Sequence, residues 1–485
     1  MFVSIINFLE NNLEKDILST LSSKKDIADV VLLVQEYVNK LGTDIIQEVL
    51  EEVDRGIKDS PYRKEKWQVV NTESNTLLTS MGNVTYTRTR FRNKADGHTS
   101  ILTDEQFGIE PHARMTEDVV INIINEATDS SYRKGGLCAS ISDRVSKQTV
   151  KNIIHNIDFE SSKRESPKTK KQVKVLYVNA DEDHVAAQFW AHKGDLKTDE
   201  SGYKSNTIMP KLIYVHEGIE KQGPKSKRNE LKGQHYFGGL YEGSQNEELW
   251  LEVAKYIDET YDIEFLERVY ISGDGASWIK QGVNWIPKSR FVLDNYHQQK
   301  YIHASVVHLL DSADDVKDMI QDAISLEDKE ALKEVYRKIL AVTENSNKYQ
   351  QVMDAERYLL NNWQGIIIKN DNTDIIGCSA EGHVSHLYSD RMSSRPMGWT
   401  KRGVDNMAKL RVFKWNQGNV YDLVMYQKYK EKREQREYLQ DEMIREARAR
   451  IGKKGHSYKS NMPLLERGKN DVYYETIKAC RGICG

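Results

Sequence analysis

The sequence predicts an α/β protein, and three observations carry that assignment. Short apolar runs of strand length end in acidic residues, as in Val175–Asp181 and Val269–Asp274. Other stretches repeat apolar residues at helical spacing, as in Val316–Ile324 and Ala331–Leu340. The two kinds are interleaved: strand-like runs fall at 173–180, 185–192 and 211–216, a helical one at 247–260, further strands at 268–272 and 290–293, and then helix.

A chain of 485 residues exceeds what one core usually serves, so several domains are expected. The first region, 1–115, opens with acid-faced helices such as Asp44–Val53. Its period changes at Leu77–Arg92, where threonines, aromatics and the Gly82-Asn83 pair predict a β-hairpin. Arg88, Arg90 and Arg92 alternate onto one face of its second strand, either to meet DNA or to guard an exposed edge.

Residues 116–172 form the second region. Between Ser131 and Ile154 the pattern predicts a helix-turn-helix, with Ser146 capping a helix that turns Val150, Ile153 and Ile154 inward. Lys147, Gln148, Lys151 and Asn152 then face outward as the residues expected to read DNA. An ordinary helical hairpin is the alternative. A basic linker follows, with six positive charges and one negative over 161–174.

The interleaved strands and helices of 173–420 have the order of a ribonuclease-H-like catalytic domain, with an all-helical insertion at about 298–370. Residues 421–485 read as a basic helical tail, ten positive charges against six negative over Lys428–Lys454. The net charge is only −3, but such local surfaces suit phosphate. No run of eighteen apolar residues occurs and the first residues lack a basic leader, so the expectation is a cytoplasmic protein without membrane contact, nucleoid-associated when on DNA. The four cysteines are expected to be reduced thiols.

Chemistry concentrates where carboxylates meet strand ends. Asp181 ends the first apolar run, with Asp183 two residues on as the alternative; Asp274 follows another and is flanked by Gly273 and Gly275. Glu381 stands in the densest run of special residues, Cys378-Ser-Ala-Glu-Gly-His383-Val-Ser-His386. A set of carboxylates alone suits hard Mg²⁺ or Mn²⁺, and two-metal phosphoryl transfer requires such a set. Asp294 and His297, spaced for one side of a helix start, would support the site or orient DNA, unless Asp294 serves only as a helix cap. His383 and His386 are expected at DNA phosphates or in the architecture of the site, and Arg391, Arg395 and Trp399 at phosphates and bases.

The stretches ADEDHV (180–185), SGDGASW (272–278), DNYHQQKY (294–301) and CSAEGHVSH with SDRMSSRPMGW (378–399) together resemble bacterial insertion-sequence transposases of the ISLre family, DDE enzymes akin to the Mutator-like group. The 107 residues from Asp274 to Glu381 leave room for the helical insertion such enzymes carry. The resemblance implies Asp181, Asp274 and Glu381 as the catalytic and metal-binding triad, with Mg²⁺ or Mn²⁺. It also implies DNA partners, the element's terminal inverted repeats and its target, and a homo-oligomer assembled on them. A nuclease of the same fold that does not join ends, and a silent DNA-binding derivative, are the alternatives.

Overall fold

A helix of 33 residues, α1 (Ile27–Asp59), is entered through a capping box in which Asp26 accepts from the Asp29 amide and Asp29 accepts in return. The computed structural model describes residues 26–159, 167, 169–188, 204–395 and 397–430, with 15, 16, 18, 19, 197, 198 and 445 besides. It divides the chain into two units, Met1–Leu423 and Val424–Gly485; described residues 424–430 of the second are helical. Most of the expected basic linker and tail, with Cys480 and Cys484, lies outside the described residues.

Helix α1 packs on the hairpin β1 (Trp67–Thr79) and β2 (Gly82–Asn93), where Leu50 meets Leu77, Val84 and Tyr86. The hairpin turns at Ser80-Met81 rather than Gly82-Asn83. Thr79 pairs with Gly82, whose φ of 138° suits a residue without Cβ. Three helices follow, α2 (Glu117–Asp129), α3 (Tyr132–Leu137) and α4 (Lys147–His155), packed on one another. Ser146 caps α4 as expected, accepting from the Thr149 amide. The connection 138–146 is longer than the tight turn of a helix-turn-helix and is tied down elsewhere, Ser140 Oγ donating to the Thr79 carbonyl at 2.7 Å.

The central sheet is mixed. Its strands are β3 (Val175–Glu182), β4 (Lys211–His216), β7 (His235–Gly239), β8 (Arg268–Gly273) and β9 (Ser289–Leu293), in the order β7-β4-β3-β8-β9; β5 (Ile219–Lys221) and β6 (Asn229–Leu231) form a separate hairpin between β4 and β7. The pairs β7–β4 and β4–β3 are antiparallel, β3–β8 and β8–β9 parallel. One face buries Leu176, Val178, Ala180, Ile213 and Ile271 under Trp250, Val253 and Ile257 of α5 (Gln245–Thr260). Sequence reading placed the second strand at 185–192; instead Val185–Ala186 pairs with Thr207–Ile208, outside the central sheet, and 189–192 lie outside the described residues. The third strand is β7, whose paired glycines hide it as a turn. Gly238 is required there, since a Cβ would stand 2.1 Å from the Tyr388 hydroxyl oxygen and 2.6 Å from the Lys211 carbonyl oxygen.

Beyond β9 the chain is helical: α6 (Asn295–Val306), α7 (Ala313–Ser325), α8 (Lys329–Val342), α9 (Ser346–Asn361) and α10 (Trp363–Asp371). They share a core of Ile302, Ile320, Leu332, Tyr336 and Leu359. The apolar run Gly365–Ile368 belongs to α10, where Gly365 passes closely over Phe291 on β9. Helix α11 (Ala380–Val384), a π-helical turn over Ser385–Ser389 and α12 (Lys401–Trp415) complete the first unit's main elements.

Candidate active site

Parallel pairing sets the strand-end aspartates side by side. Ser272 pairs with Asn179 and Gly273 with Leu293, so extending the registers brings Asp274 abreast of Asp181 on one side and Asp294 on the other. Adjacent strands lie about 4.8 Å apart. The Asp294 amide donates to the Gly273 carbonyl at 2.9 Å and holds that alignment. Gly273 makes it possible, for a Cβ there would meet the Ala180 carbonyl oxygen at 2.7 Å. Since Leu176, Val178 and Ala180 face the core, Tyr177, Asn179 and Asp181 share the opposite face.

Aromatic packing brings Glu381 to that same face. The rings of Tyr270, Tyr177, His216 and Tyr214 stack across β8, β3 and β4 with centroids 6.0, 5.2 and 5.8 Å apart. His383 lies over Tyr214 at 4.5 Å and hydrogen-bonds the Tyr236 hydroxyl at 3.1 Å. Burial pushes His383 and His216 down to about 4, so both are neutral near pH 7, packed among the rings of this face. The Tyr214 hydroxyl joins the Asn179 amide at 2.9 Å and Ser379, two residues before Glu381, at 2.7 Å. Glu381 itself is exposed in the first turn of α11; its carbonyl accepts from the Ser385 amide, while its carboxylate has no hydrogen-bond partner among the described residues.

Charge at this face is unbalanced. Burial pushes the Asp181 carboxyl up to about 7, and the neighbouring charges of Asp274 and Glu381 add to the shift. Asp294 caps α6 through the Tyr296 amide, as one reading of the sequence expects, and also bonds His297 Nδ1 at 3.0 Å. That hydrogen bond raises the His297 pKa, and the charges of Asp294, Asp274 and Asp181 raise it further. Lys280 is within electrostatic reach of Asp274, and Lys369 of Asp294. Among the described residues no three His, Cys, Asp or Glu side chains converge closely enough to enclose an ion; the set is open.

Sequence reasoning missed the groups that fix Asp274. Its side chain accepts from the Ala276 amide at 2.9 Å, while its carbonyl accepts from the hydroxyl of Tyr358, a ring stacked on Tyr301 at 3.7 Å. Gly275, at φ 90°, passes so close to Asn362 that a Cβ would lie 2.5 Å from its side-chain oxygen. Tyr358 and Asn362 sit more than eighty residues along the chain, with only helical periodicity to mark them.

Other expected residues fall elsewhere. Asp183 is buried and accepts from Ser389 Oγ at 3.0 Å and Ser393 Oγ at 2.9 Å, which gives it a fixed role holding the 389–393 turn. His386 is exposed and reaches Asp390 at 3.4 Å. Arg391 and Trp399, expected at DNA, are buried instead: the Arg391 guanidinium lies over both the Tyr132 and Trp399 rings and donates to the Ala127 carbonyl at the end of α2. Burial lowers its pKa to about 10. Arg411 caps the same helix through the Thr128 carbonyl at 2.9 Å. Arg395 is exposed. On α4, Lys147, Gln148 and Asn152 are exposed, the last two bonded to each other at 3.0 Å, and Lys151 is half-buried.

The sequence profile of an uncharacterised protein family, UPF0236, matches residues 23–430. Relatives of that family from Caldanaerobacter subterraneus subsp. tengcongensis include one 38% identical over 461 residues, 95% of this chain and 93% of the relative. A second is 38% identical over 477 residues, 98% of this chain and 96% of the relative. The name of the first runs together eleven designations and that of the second four. No described helix is long and apolar enough to cross a membrane. Among solved structures, the Drosophila P element transposase strand transfer complex is 12% identical, with 67% of this chain and 86% of that chain covered and a TM-score of 0.21, too slight a likeness to carry argument.

Proposed function

The chain belongs to the uncharacterised protein family UPF0236, and we propose that it is a DDE transposase, a ribonuclease-H-like enzyme that cuts and joins DNA at the ends of an insertion sequence. One observation carries the reading: Asp181 and Asp274 stand abreast on parallel strands, and Asp181 feels the charge of Glu381 as well. Like charges gathered without cations bonded to them suit a ligand that supplies the opposite charge. Asp181, Asp274 and Glu381 would hold Mg²⁺ or Mn²⁺, since all three donors are hard oxygens. Bound there, the metal would activate water or a 3′-hydroxyl and stabilise the leaving oxygen in an in-line displacement at phosphorus.

The remaining residues serve this chemistry directly. His297, whose charged form is favoured by its hydrogen bond to Asp294, would in that form orient a DNA phosphate beside the carboxylates. Tyr358 holds the Asp274 turn by its hydroxyl, and Asn362 lies against Gly275 beside it. In this reading α6–α10 are the helical insertion, 116–172 the end-binding region with Lys147, Gln148, Lys151 and Asn152 against DNA, 173–420 the catalytic domain and 421–485 a basic tail. The working form is a homo-oligomer on paired ends. We read the run-together designations of the relatives as copies at several loci of one genome, the trace that a self-mobilising element leaves.

The test is cleavage of duplexes carrying the sequences that flank the gene. With Mn²⁺ or Mg²⁺ the whole chain should nick them and join the freed 3′ end to a second duplex, and Asp274→Asn should do neither. Cutting without joining would support a nuclease of the same fold; metal-independent activity in Asp274→Asn would remove the DDE reading.

A further inference from the structure

Between β4 and β7 the chain leaves the central sheet as the small hairpin β5–β6, paired Ile219 to Leu231, Glu220 to Glu230 and Lys221 to Asn229. Its root is fixed. The Glu217 amide donates to the Lys232 carbonyl at 2.8 Å, the Lys232 amide to the Gly218 carbonyl at 2.9 Å, and Glu217 is held by Tyr261 and Lys171. Its tip is a tight turn, closed by Gln222 N to the Arg228 carbonyl at 3.0 Å and Ser226 N to the Gly223 carbonyl at 3.0 Å.

What the hairpin displays is positive charge. Residues 219–232 carry Lys221, Lys225, Lys227, Arg228 and Lys232 against Glu220 and Glu230, five minus two, a net of +3 in a chain whose total is −3. The tip 222–228 has three cations and no anion, and Lys225, Lys227 and Arg228 are exposed. None of the three makes an ion pair with a described residue. The contrast with the neighbouring surface is direct: Lys170, Lys171 and Lys174, close to the start of β3, are paired with Asp258, Glu217 and Glu267. A rigid ribbon with unanswered cations at its turn is built for an extended polyanion. Two-stranded ribbons also match the width of a duplex groove.

We propose that the β5–β6 hairpin is a backbone clamp for duplex DNA, with Lys225, Lys227 and Arg228 on its phosphates; this rests on reading the chain as a DNA-acting enzyme. Its place in the fold assigns it to binding and not to chemistry. His216, where the hairpin departs, pairs with Tyr177, four residues before Asp181 on β3, which is about 13 Å along the strand. The hairpin therefore grips DNA away from the scissile phosphate and without regard to sequence.

The experiment is a salt titration of binding by the whole chain to a random-sequence duplex. Changing Lys225, Lys227 and Arg228 together to Gln should make the slope of log affinity against log salt shallower by about 2 to 3, because each phosphate contact contributes roughly 0.9. Lys225→Arg with Lys227→Arg and Arg228→Lys should restore it, which separates lost charge from lost folding. On cleavable duplex the Gln variant should raise KM and leave kcat unchanged. An unchanged slope, or a loss of binding to equimolar phosphatidylserine–phosphatidylcholine vesicles with none to duplex, overturns the proposal. A changed slope in a chain that never cuts DNA would keep the clamp and sink the catalytic reading instead.

Discussion

The N-terminal hairpin and the carboxylate end of the central sheet are both crowded with charge, and they treat it in opposite ways. In and beside the hairpin the buried and half-buried charges are answered. Glu73 takes Arg88 at 2.8 Å and Arg90 at 2.9 Å, and Asp54 accepts from the Thr89 amide, the Thr89 hydroxyl and the Thr103 hydroxyl at 2.6 to 2.9 Å. Burial does push Asp104 up, but Tyr86 and Arg88 pull the other way. At the sheet's carboxyl end, Asp181 is buried beside the like charges of Asp274 and Glu381, and only the Glu182 amide and the charge of His297 pull the other way among the described residues. Charges that hold a fold together are balanced within it; those left unbalanced wait for something from outside.

Substitution should separate the two kinds sharply. Asp274→Asn should reduce DNA cleavage by more than about 1,000-fold, since it removes a donor from the metal set, while the thermal midpoint stays or rises. Asp54→Ala should do the reverse, losing about 3 kcal/mol in denaturant unfolding because three buried donors are left unpaired. If Asp54→Ala proves neutral, or Asp274→Asn unfolds the chain, the contrast is wrong.

Acid titration sharpens it further. Folded Asp181 ionises near pH 7 rather than near 3.8, so between those values the folded chain holds a proton that the unfolded chain has released. Without metal, its contribution to stability therefore falls as pH rises through that window, by an amount of the order of a few kcal/mol. Asp181→Asn should abolish the fall. Glu73 behaves oppositely: Arg90 holds its pKa below the usual value, so its contribution is lost as pH falls through that depressed value. Stability curves of Asp181→Asn and Glu73→Gln that bend the same way would break the comparison. The smallest effect is expected from Tyr358→Phe, which removes one hydroxyl from the Asp274 carbonyl. Metal affinity should drop about tenfold, with stability changed by about 1 kcal/mol or less.

Much of the site was legible because strand ends and a dense motif are local signals. Asp181, Asp274, the Asp294–His297 pair and Glu381 are each marked by neighbours in sequence; the structure sets the three aspartates on adjacent strand ends and brings Glu381 within electrostatic reach of Asp181. The strand β7 was not legible, since its Gly238-Gly239 pair, with Gly238 needed for close approach to Tyr388, looks like a turn. Arg391 and Trp399 misled for another reason: composition cannot tell a cation that meets phosphate from one buried against aromatic rings. Tyr358 reaches Asp274 across 84 residues, a pairing that only the folded chain reveals.

Calorimetric titration of Mn²⁺ into the whole chain tests the central claim most directly. Binding should be present at pH 8, weaken as pH falls through about 7 while Asp181 takes up its proton, and vanish in Asp181→Asn and in Asp274→Asn. Equal Mn²⁺ affinity in wild type and both variants would contradict the account.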